Sequence, residues 1–225
     1  MRRVENKREK SIFCLPRGPV IGPMVVGAVK VDDNSKLVKN KIKDSKKLSP
    51  RRREYLAKKI IKLAVDYEIL VIPAKDIDDM RKVMTLNEIE VNAFTKVIKK
   101  IKPNICYVDS ADTDEERFKE NILRNLSFKP EIISRHKADD IYPVVGAASI
   151  LAKIRRDEEI QNISFKLEKK IGIPMGSGYP ADPITVRFIR SWYRKYNKFP
   201  PEVRHSWNTI KRLEKNKKTK TLDDF

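Results

Sequence analysis

Three aspartates in this 225-residue chain stand where metal-assisted chemistry is usually placed. Asp109 closes the run Ile105-Cys-Tyr-Val108 and is followed by Ser110, Ala111 and Asp112. Asp139 lies in Arg135-His-Lys-Ala-Asp-Asp140, directly after Glu131-Ile-Ile-Ser134. Asp157 lies at the far end of a long helical pattern that opens at Pro143. Carboxylates grouped at strand ends can hold Mg2+ or Mn2+, hard cations that take oxygen ligands and keep several waters. Such ions activate a water and stabilise a leaving oxygen in phosphodiester cleavage. The plainer alternative is that Asp109 and Asp139 cap loops or pair with surface lysines, since aspartate is common at turns.

Arg17-Gly-Pro-Val-Ile-Gly-Pro23 and Gly176-Ser-Gly-Tyr-Pro180 are rich in turn formers. Exposed N–H groups in such loops can meet phosphate oxygens; ordinary tight turns explain them equally well. Lys46 and Lys47, in Asp44-Ser-Lys-Lys-Leu48, could meet phosphate as point charges. His136 and His205 have no His or Cys at metal-ligand spacing and read as structural or phosphate-facing.

Composition agrees with a polyanionic partner. Lys and Arg number 50 against 31 Asp and Glu, a formal net charge of +19. A protein this basic usually meets nucleic acid. Hydrophobic residues make up 40%, enough for a core, which excludes global disorder. Two cysteines exclude a disulfide scaffold and fit a reducing compartment. No apolar run reaches the roughly 18–20 residues of a membrane span. The first ten residues are charged and precede no apolar stretch of signal-peptide length. A cytoplasmic location is expected.

The elements that must position these residues alternate between strand and helix. Met24–Val31 reads as a buried strand. Ser49-Pro50 opens a helix with an apolar face through Leu56, Ile60 and Leu63. Tyr67–Pro73 reads as a strand, and Thr85-Leu-Asn-Glu88 as a capping box. Ile105–Val108 and Glu131–Ser134 are short strands, with a helix opening at Thr113-x-x-Glu116 between them. A long helix starts at Pro143, another at Asp182-Pro183, and the last ends near Leu213. This is a single α/β domain with helices crowding its C-terminal half. The expected organisation is a basic flexible arm over 1–10, a body over 11–213 with C-terminal helices from about 182, and a basic tail over 214–225.

The segments named so far occur in a fixed order. Arg17-Gly-Pro-Val-Ile-Gly-Pro-Met-Val-Val-Gly27, Asp44-Ser-Lys-Lys-Leu48, Tyr107-Val-Asp-Ser110 and His136-Lys-Ala-Asp139 come first. Tyr142-Pro-Val-Val-Gly-Ala-Ala-Ser-Ile-Leu-Ala-Lys-Ile-Arg-Arg-Asp157, Gly176-Ser-Gly-Tyr-Pro-Ala-Asp-Pro183 and Arg204-His-Ser-Trp-Asn-Thr209 follow. Together they closely resemble ribonuclease HII in its archaeal form, from about Arg17 to about Leu213. The resemblance implies a ribonuclease H-like fold, a mixed β-sheet flanked by helices with a helical C-terminal extension. It implies endonucleolytic, metal-assisted cleavage of the RNA strand of RNA/DNA hybrids, including ribonucleotides embedded in DNA, with Mn2+ or Mg2+. It makes Asp109 and Asp139 catalytic metal ligands, two of a family set of four carboxylates. Tyr179 matches the family tyrosine that stacks on the sugar beside the cleaved bond and helps sense the 2′-OH. Arg17 and Gly18 match the junction-binding turn, and Lys46 matches a phosphate contact. A monomer is expected.

The resemblance breaks just before Arg17. The family pattern there is Gly-x-Asp-Glu-Ala-Gly-Arg-Gly-Pro on the first strand. Phe13 stands where the family has Asp, Cys14 where it has Glu, and Pro16 where it has the first glycine of the Gly-Arg-Gly turn. A phenyl ring binds no hard cation, and a thiolate prefers softer metals. Proline also removes an N–H from the turn. Glu5, Glu9, Asp112 and Asp140 are the nearby acids that could substitute. The alternative function is therefore a catalytically impaired relative that grips hybrid duplex.

The tail holds Lys211, Arg212, Lys215, Lys217, Lys218 and Lys220 and ends in Thr219-Lys-Thr-Leu-Asp-Asp-Phe225. Leu222 and Phe225 are three apart and would share one side of a helical turn. The pattern resembles the C-terminal clamp-binding motif of replication and repair proteins, with Thr219 in place of its Gln. It suggests a sliding clamp as partner through Leu222 and Phe225; a frayed terminus is the alternative.

Overall fold

The protein is described as a computed structural model over residues 10–14, 18–40, 42 and 48–220, with backbone alone at 10–14 and 216–220. Five strands make one sheet: β1 (Lys10–Cys14), β2 (Met24–Val31), β3 (Asp66–Ile72), β4 (Ile105–Asp109) and β5 (Glu131–Arg135). Their order is β3-β2-β1-β4-β5. β1 pairs antiparallel with β2 and parallel with β4, and β4 pairs parallel with β5. The sheet is mixed, as the family resemblance implies.

The helices are α1 (Ser35–Lys39), α2 (Pro50–Leu63), α3 (Ala74–Met80), α4 (Leu86–Ile101), α5 (Glu115–Arg124), α6 (Ala138–Ile141), α7 (Pro143–Ile171), α8 (Pro183–Tyr196) and α9 (Asn208–Lys220). Side-chain caps set four of these starts, those of α2, α4, α5 and α8. Ser49 Oγ accepts the Arg52 N–H at 3.3 Å. Thr85 and Glu88 close a full capping box: Glu88 N–H donates to Thr85 Oγ1 at 3.2 Å, and Thr85 N–H to Glu88 Oε2 at 2.7 Å. Helix α5 departs from expectation. Its cap is Asp114 rather than Thr113, because the Asp114 carboxylate accepts both the Glu116 and Arg117 N–H groups at 3.0 Å. Helices α1 and α3 were not expected. At five and seven residues they are too short to show a helical period, and neither has a side-chain cap. Helix α9 runs to Lys220, beyond the expected end near Leu213.

The chain divides into two compact units. The first draws its described residues from Met1–Pro16, Val25–Leu70 and Thr85–Arg155. Strand β2 is buried almost throughout, the mark of a strand covered on both faces. Val29 and Val31 pack with Leu56 and Ile60 of α2 and with Val144, Ala148 and Leu151 of α7. Gly27 permits that approach. A Cβ there would lie 2.6 Å from the Ala148 carbonyl oxygen. Cys106 is buried inside the sheet, and burial pushes its thiol up to about 12, so it is inert as a ligand.

The second unit draws its described residues from Arg17–Met24, Val71–Met84 and Arg156–Phe225. Its core joins Val20, Ile21, Leu167, Met175, Phe188, Ile189, Trp192 and Ile210. Arg204 is fully buried there. It donates to the carbonyls of Gly22 at 2.9 Å and Pro23 at 2.6 Å, and lies 4.7 Å from the Trp207 ring centroid. A buried charge survives when its donors are satisfied in this way. No helix among the described residues is long and apolar enough to cross a membrane.

Candidate active site

Asp109 and the turn that carries Asp139 meet at the ends of β4 and β5. Asp109 is the last residue of β4 and pairs in register with Arg135. Ser110 N–H donates to Arg135 O at 2.9 Å, extending the ladder one step further. The chain then turns through His136 and Lys137, whose φ of 53° is left-handed, into α6. That turn aims the Ala138 N–H at Asp109 Oδ1, at 3.1 Å. The next residue is Asp139, 2% exposed. Tyr142 ends α6 and lays its ring 4.6 Å from that of Tyr107 on β4.

A residue without a role in the sequence reading braces this turn. Glu115, in the first turn of α5, accepts the His136 N–H at 2.6 Å and the Arg135 Nη1 at 3.0 Å. Those bonds, the backbone N–H first, hold its carboxyl below the usual carboxylate range. Twenty residues separate Glu115 from Arg135, so local sequence spacing carried no signal for the pair.

Nearby acids are committed elsewhere or open to solvent. Asp112 is buried and takes a forked contact from Arg117, with Nε at 3.0 Å and Nη2 closing the second arm. The pairing holds its carboxyl well below the ordinary range. Asp112 is therefore a brace for α5 and not a spare ligand. Asp140 is exposed. Asp157 falls in the second unit, where it pairs with Arg156 at 3.1 Å.

The backbone of β1 lies where the resemblance puts the first strand. Phe13 pairs with Val108, the last partners in the β1–β4 register, one residue before Cys14 and Asp109. Among the described residues no group of three or more His, Cys, Asp or Glu gathers for one ion. Two carboxylates still fit Mg2+ or Mn2+, because such ions are often held by one or two protein carboxylates together with substrate phosphates and waters.

The second unit builds the turn that carries Tyr179. Gly176 and Gly178 take φ of 76° and 79°, which glycine adopts freely. Asp182 Oδ2 accepts the Ser177 N–H at 2.7 Å and its hydroxyl at 2.8 Å, while Oδ1 accepts the Ile184 N–H at 2.9 Å. These bonds pull its carboxyl down to about 2. Gly178 O accepts the Val20 N–H at 2.7 Å and so ties in the segment after Gly18. A Cβ at Gly18 would sit 3.1 Å from Tyr179 Cε1, so the ring lies against bare backbone. The Arg156 guanidinium covers the ring at 4.7 Å and donates to Ser177 O at 3.2 Å. Arg156 was legible only as part of a motif, with no role of its own. Arg17, Lys46, Leu222 and Phe225 lie outside the described residues, as do the side chains of Phe13 and Cys14.

The family profile for ribonuclease HII matches residues 16–210. The chain belongs to the ribonuclease HII family. The ribonuclease HII of Thermococcus kodakarensis is 49% identical over 201 residues, covering 88% of this chain and 85% of that protein. The crystal structure of ribonuclease H2 from Pyrococcus horikoshii superposes with a TM-score of 0.82 at 39% identity, covering 92% of this chain and 98% of that one. The ribonuclease HII of Archaeoglobus fulgidus, solved as a complex with PCNA, gives 0.77 at 37% identity, covering 89% and 94%. As a ribonuclease HII, the protein is a type 2 ribonuclease H endonuclease acting on the RNA of RNA/DNA hybrids. The family depends on divalent metal ions. The profile match begins after Phe13 and Cys14.

Proposed function

We propose that this ribonuclease HII cuts RNA strands in hybrids, and ribonucleotides embedded in DNA, at Asp109 and Asp139 with Mg2+ or Mn2+. The observation that carries the reading is the bond from Ala138 N–H to Asp109 Oδ1, which ties the Asp139 turn to the end of β4. Asp109 and Asp139 would hold the ion. When bound, it would supply Lewis acidity at the scissile phosphate and an acidified water. Glu115 keeps the His136 turn in place by accepting the His136 N–H and the Arg135 guanidinium. Tyr179, pressed on Gly18 and covered by Arg156, offers a rigid ring to a sugar. An aromatic face held this way can discriminate ribose from deoxyribose by the room it leaves for the 2′-OH. Arg17 and Lys46 would take the flanking phosphates.

The direct test is cleavage of a labelled hybrid and of a duplex with one embedded ribonucleotide, in Mg2+ and in Mn2+. Cleavage in the parent, abolished by Asp109→Asn and by Asp139→Asn, is expected. Cleavage surviving both substitutions would remove these residues from the site.

We also infer that Leu222 and Phe225 dock on a sliding clamp, which would bring this cytoplasmic, monomeric enzyme to newly made DNA. The clamp complex of the Archaeoglobus fulgidus relative supports a partner of this class. A peptide of residues 214–225 should bind the cognate clamp more tightly than the same peptide with Leu222→Ala and Phe225→Ala. Equal binding would remove the tail from the interaction.

A further inference from the structure

Three residues other than glycine adopt a left-handed backbone among the described residues: Lys102, Lys137 and Asn197. Lys102 and Asn197 are the C-caps of α4 and α8, where this conformation is the usual way to end a helix. Lys137 ends no helix. It precedes α6, between β5 and Asp139, and its side chain makes no cap.

The conformation itself has a clear purpose. It turns Ala138 N–H onto Asp109 Oδ1 and lets Asp140 N–H close back on Lys137 O at 3.0 Å. Glycine would make the same turn without steric conflict between Cβ and the carbonyl oxygen. Lysine occupies the position instead. Its side chain is exposed, and no hydrogen bond or ion pair of its ammonium to another described residue is found. The backbone strain is thus borne by a residue whose side chain does nothing for the turn. Strained backbone clusters at active sites and ligand clamps, so an outlier beside a candidate site points to a use for the residue.

We propose that the Lys137 ammonium contacts a backbone phosphate of the bound nucleic acid strand beside Asp139. The proposal rests on Asp109 and Asp139 marking the cutting site. Lysine suits the task as a flexible point charge with three donors.

The test uses the full chain and reads hybrid binding in EDTA, over a salt series, alongside the melting temperature. Binding without metal reports on Lys137 even if the parent cuts slowly, so failure of the cleavage reading remains a separate result. Lys137→Gly suits the left-handed turn and should melt no lower than the parent. It should weaken hybrid binding about tenfold and make the slope of log K against log salt shallower by about one, the signature of one lost phosphate contact. Lys137→Asn, which also tolerates this backbone, should do the same. Lys137→Arg should bind like the parent. Lys102→Gly, an exposed lysine of the same conformation at a helix end, should leave binding unchanged. Parent-like binding by Lys137→Gly overturns the proposal. So does an equal loss in Lys102→Gly, which would reflect net charge alone. A loss of binding that comes with a lower melting temperature in both neutral variants would assign Lys137 to the fold and overturn it too.

Discussion

The ends of β4 and β1 are neighbours in one sheet, run in the same direction and are paired residue for residue. At the β4 end, Asp109 is seated by an amide from the Asp139 turn, and Glu115 braces that turn from α5. At the β1 end stand Phe13 and Cys14, which the resemblance aligns with an Asp and a Glu of the family pattern. The backbone register is the same in kind at both ends, and the donors are not. Ladder hydrogen bonds join N–H to C=O and do not read which side chain a strand end carries. A sheet can therefore keep its pairing while a ligand position changes, because the fold and the site are separately specified. Phenylalanine even favours a strand, where aspartate is disfavoured. A phenyl ring and a thiol at this end would suit strand pairing and would not bind a hard cation.

The largest expected effect follows from that contrast. Phe13→Asp with Cys14→Glu should raise hybrid cleavage by at least about a hundredfold, since metal-ion stabilisation of the transition state is worth several kcal/mol and each 1.4 kcal/mol is tenfold. The same double variant should be less stable than the parent by roughly 1 kcal/mol, the span of strand propensity. Single-turnover rates and denaturant titrations measure the two. An unchanged rate would show that Asp109 and Asp139 suffice, and would dissolve the contrast between the two strand ends.

A smaller effect separates the carboxylate turn from the tyrosine turn of the second unit. Tyr179→Ala should lower the preference for a ribose-containing duplex over plain DNA by about tenfold, in line with aromatic stacking of 1–3 kcal/mol. Total affinity should fall less, because phosphate contacts dominate it. Arg156→Ala should act the same way but more weakly, a few-fold, since cation–π contacts contribute about 0.5–2 kcal/mol. Arg156→Lys should not rescue fully, because a point-charge ammonium cannot lay a planar group over the ring while also donating to Ser177 O. Equal losses on both duplexes would make Tyr179 a general contact.

What the sequence made legible follows the range of the interactions. The capping box at Thr85, the Ser49-Pro50 start and the Asp182-Pro183 start are local, and the structure carries each of them. Strand β2 was legible because burial on both faces leaves a continuous apolar run. Asp109 was legible as the residue closing a strand. Glu115 and Arg156 were not, because their partners lie 20 and 21 residues away and only the folded chain joins them. The left-handed backbone at Lys137 was also hidden, since lysine gives no hint of it. The change of cap from Thr113 to Asp114 shows two adjacent competent residues, with the charged carboxylate taking two N–H groups.

The smallest expected effect compares two aspartates that brace the two turns. Asp112 supports α5 in the first unit through Arg117, and Asp182 supports the tyrosine turn through Ser177. Both carboxyls lie below the ordinary value of 3.8 when folded, Asp182 at about 2 and Asp112 lower still. A depressed folded value means that each contribution is complete above the unfolded value and fades as pH falls through the folded one. Asp182 should thus stop stabilising between about pH 4 and pH 2, and Asp112 only in stronger acid. The melting temperature of Asp182→Asn should lie below that of the parent at neutral pH, and the gap should shrink as pH falls from 4 toward 2. The gap for Asp112→Asn should persist over the same range, because Arg117 holds the charge against protonation. Gaps that close together would mean that the Asp182 carboxylate is no easier to protonate than the Asp112 pair, and that the two turns are braced alike.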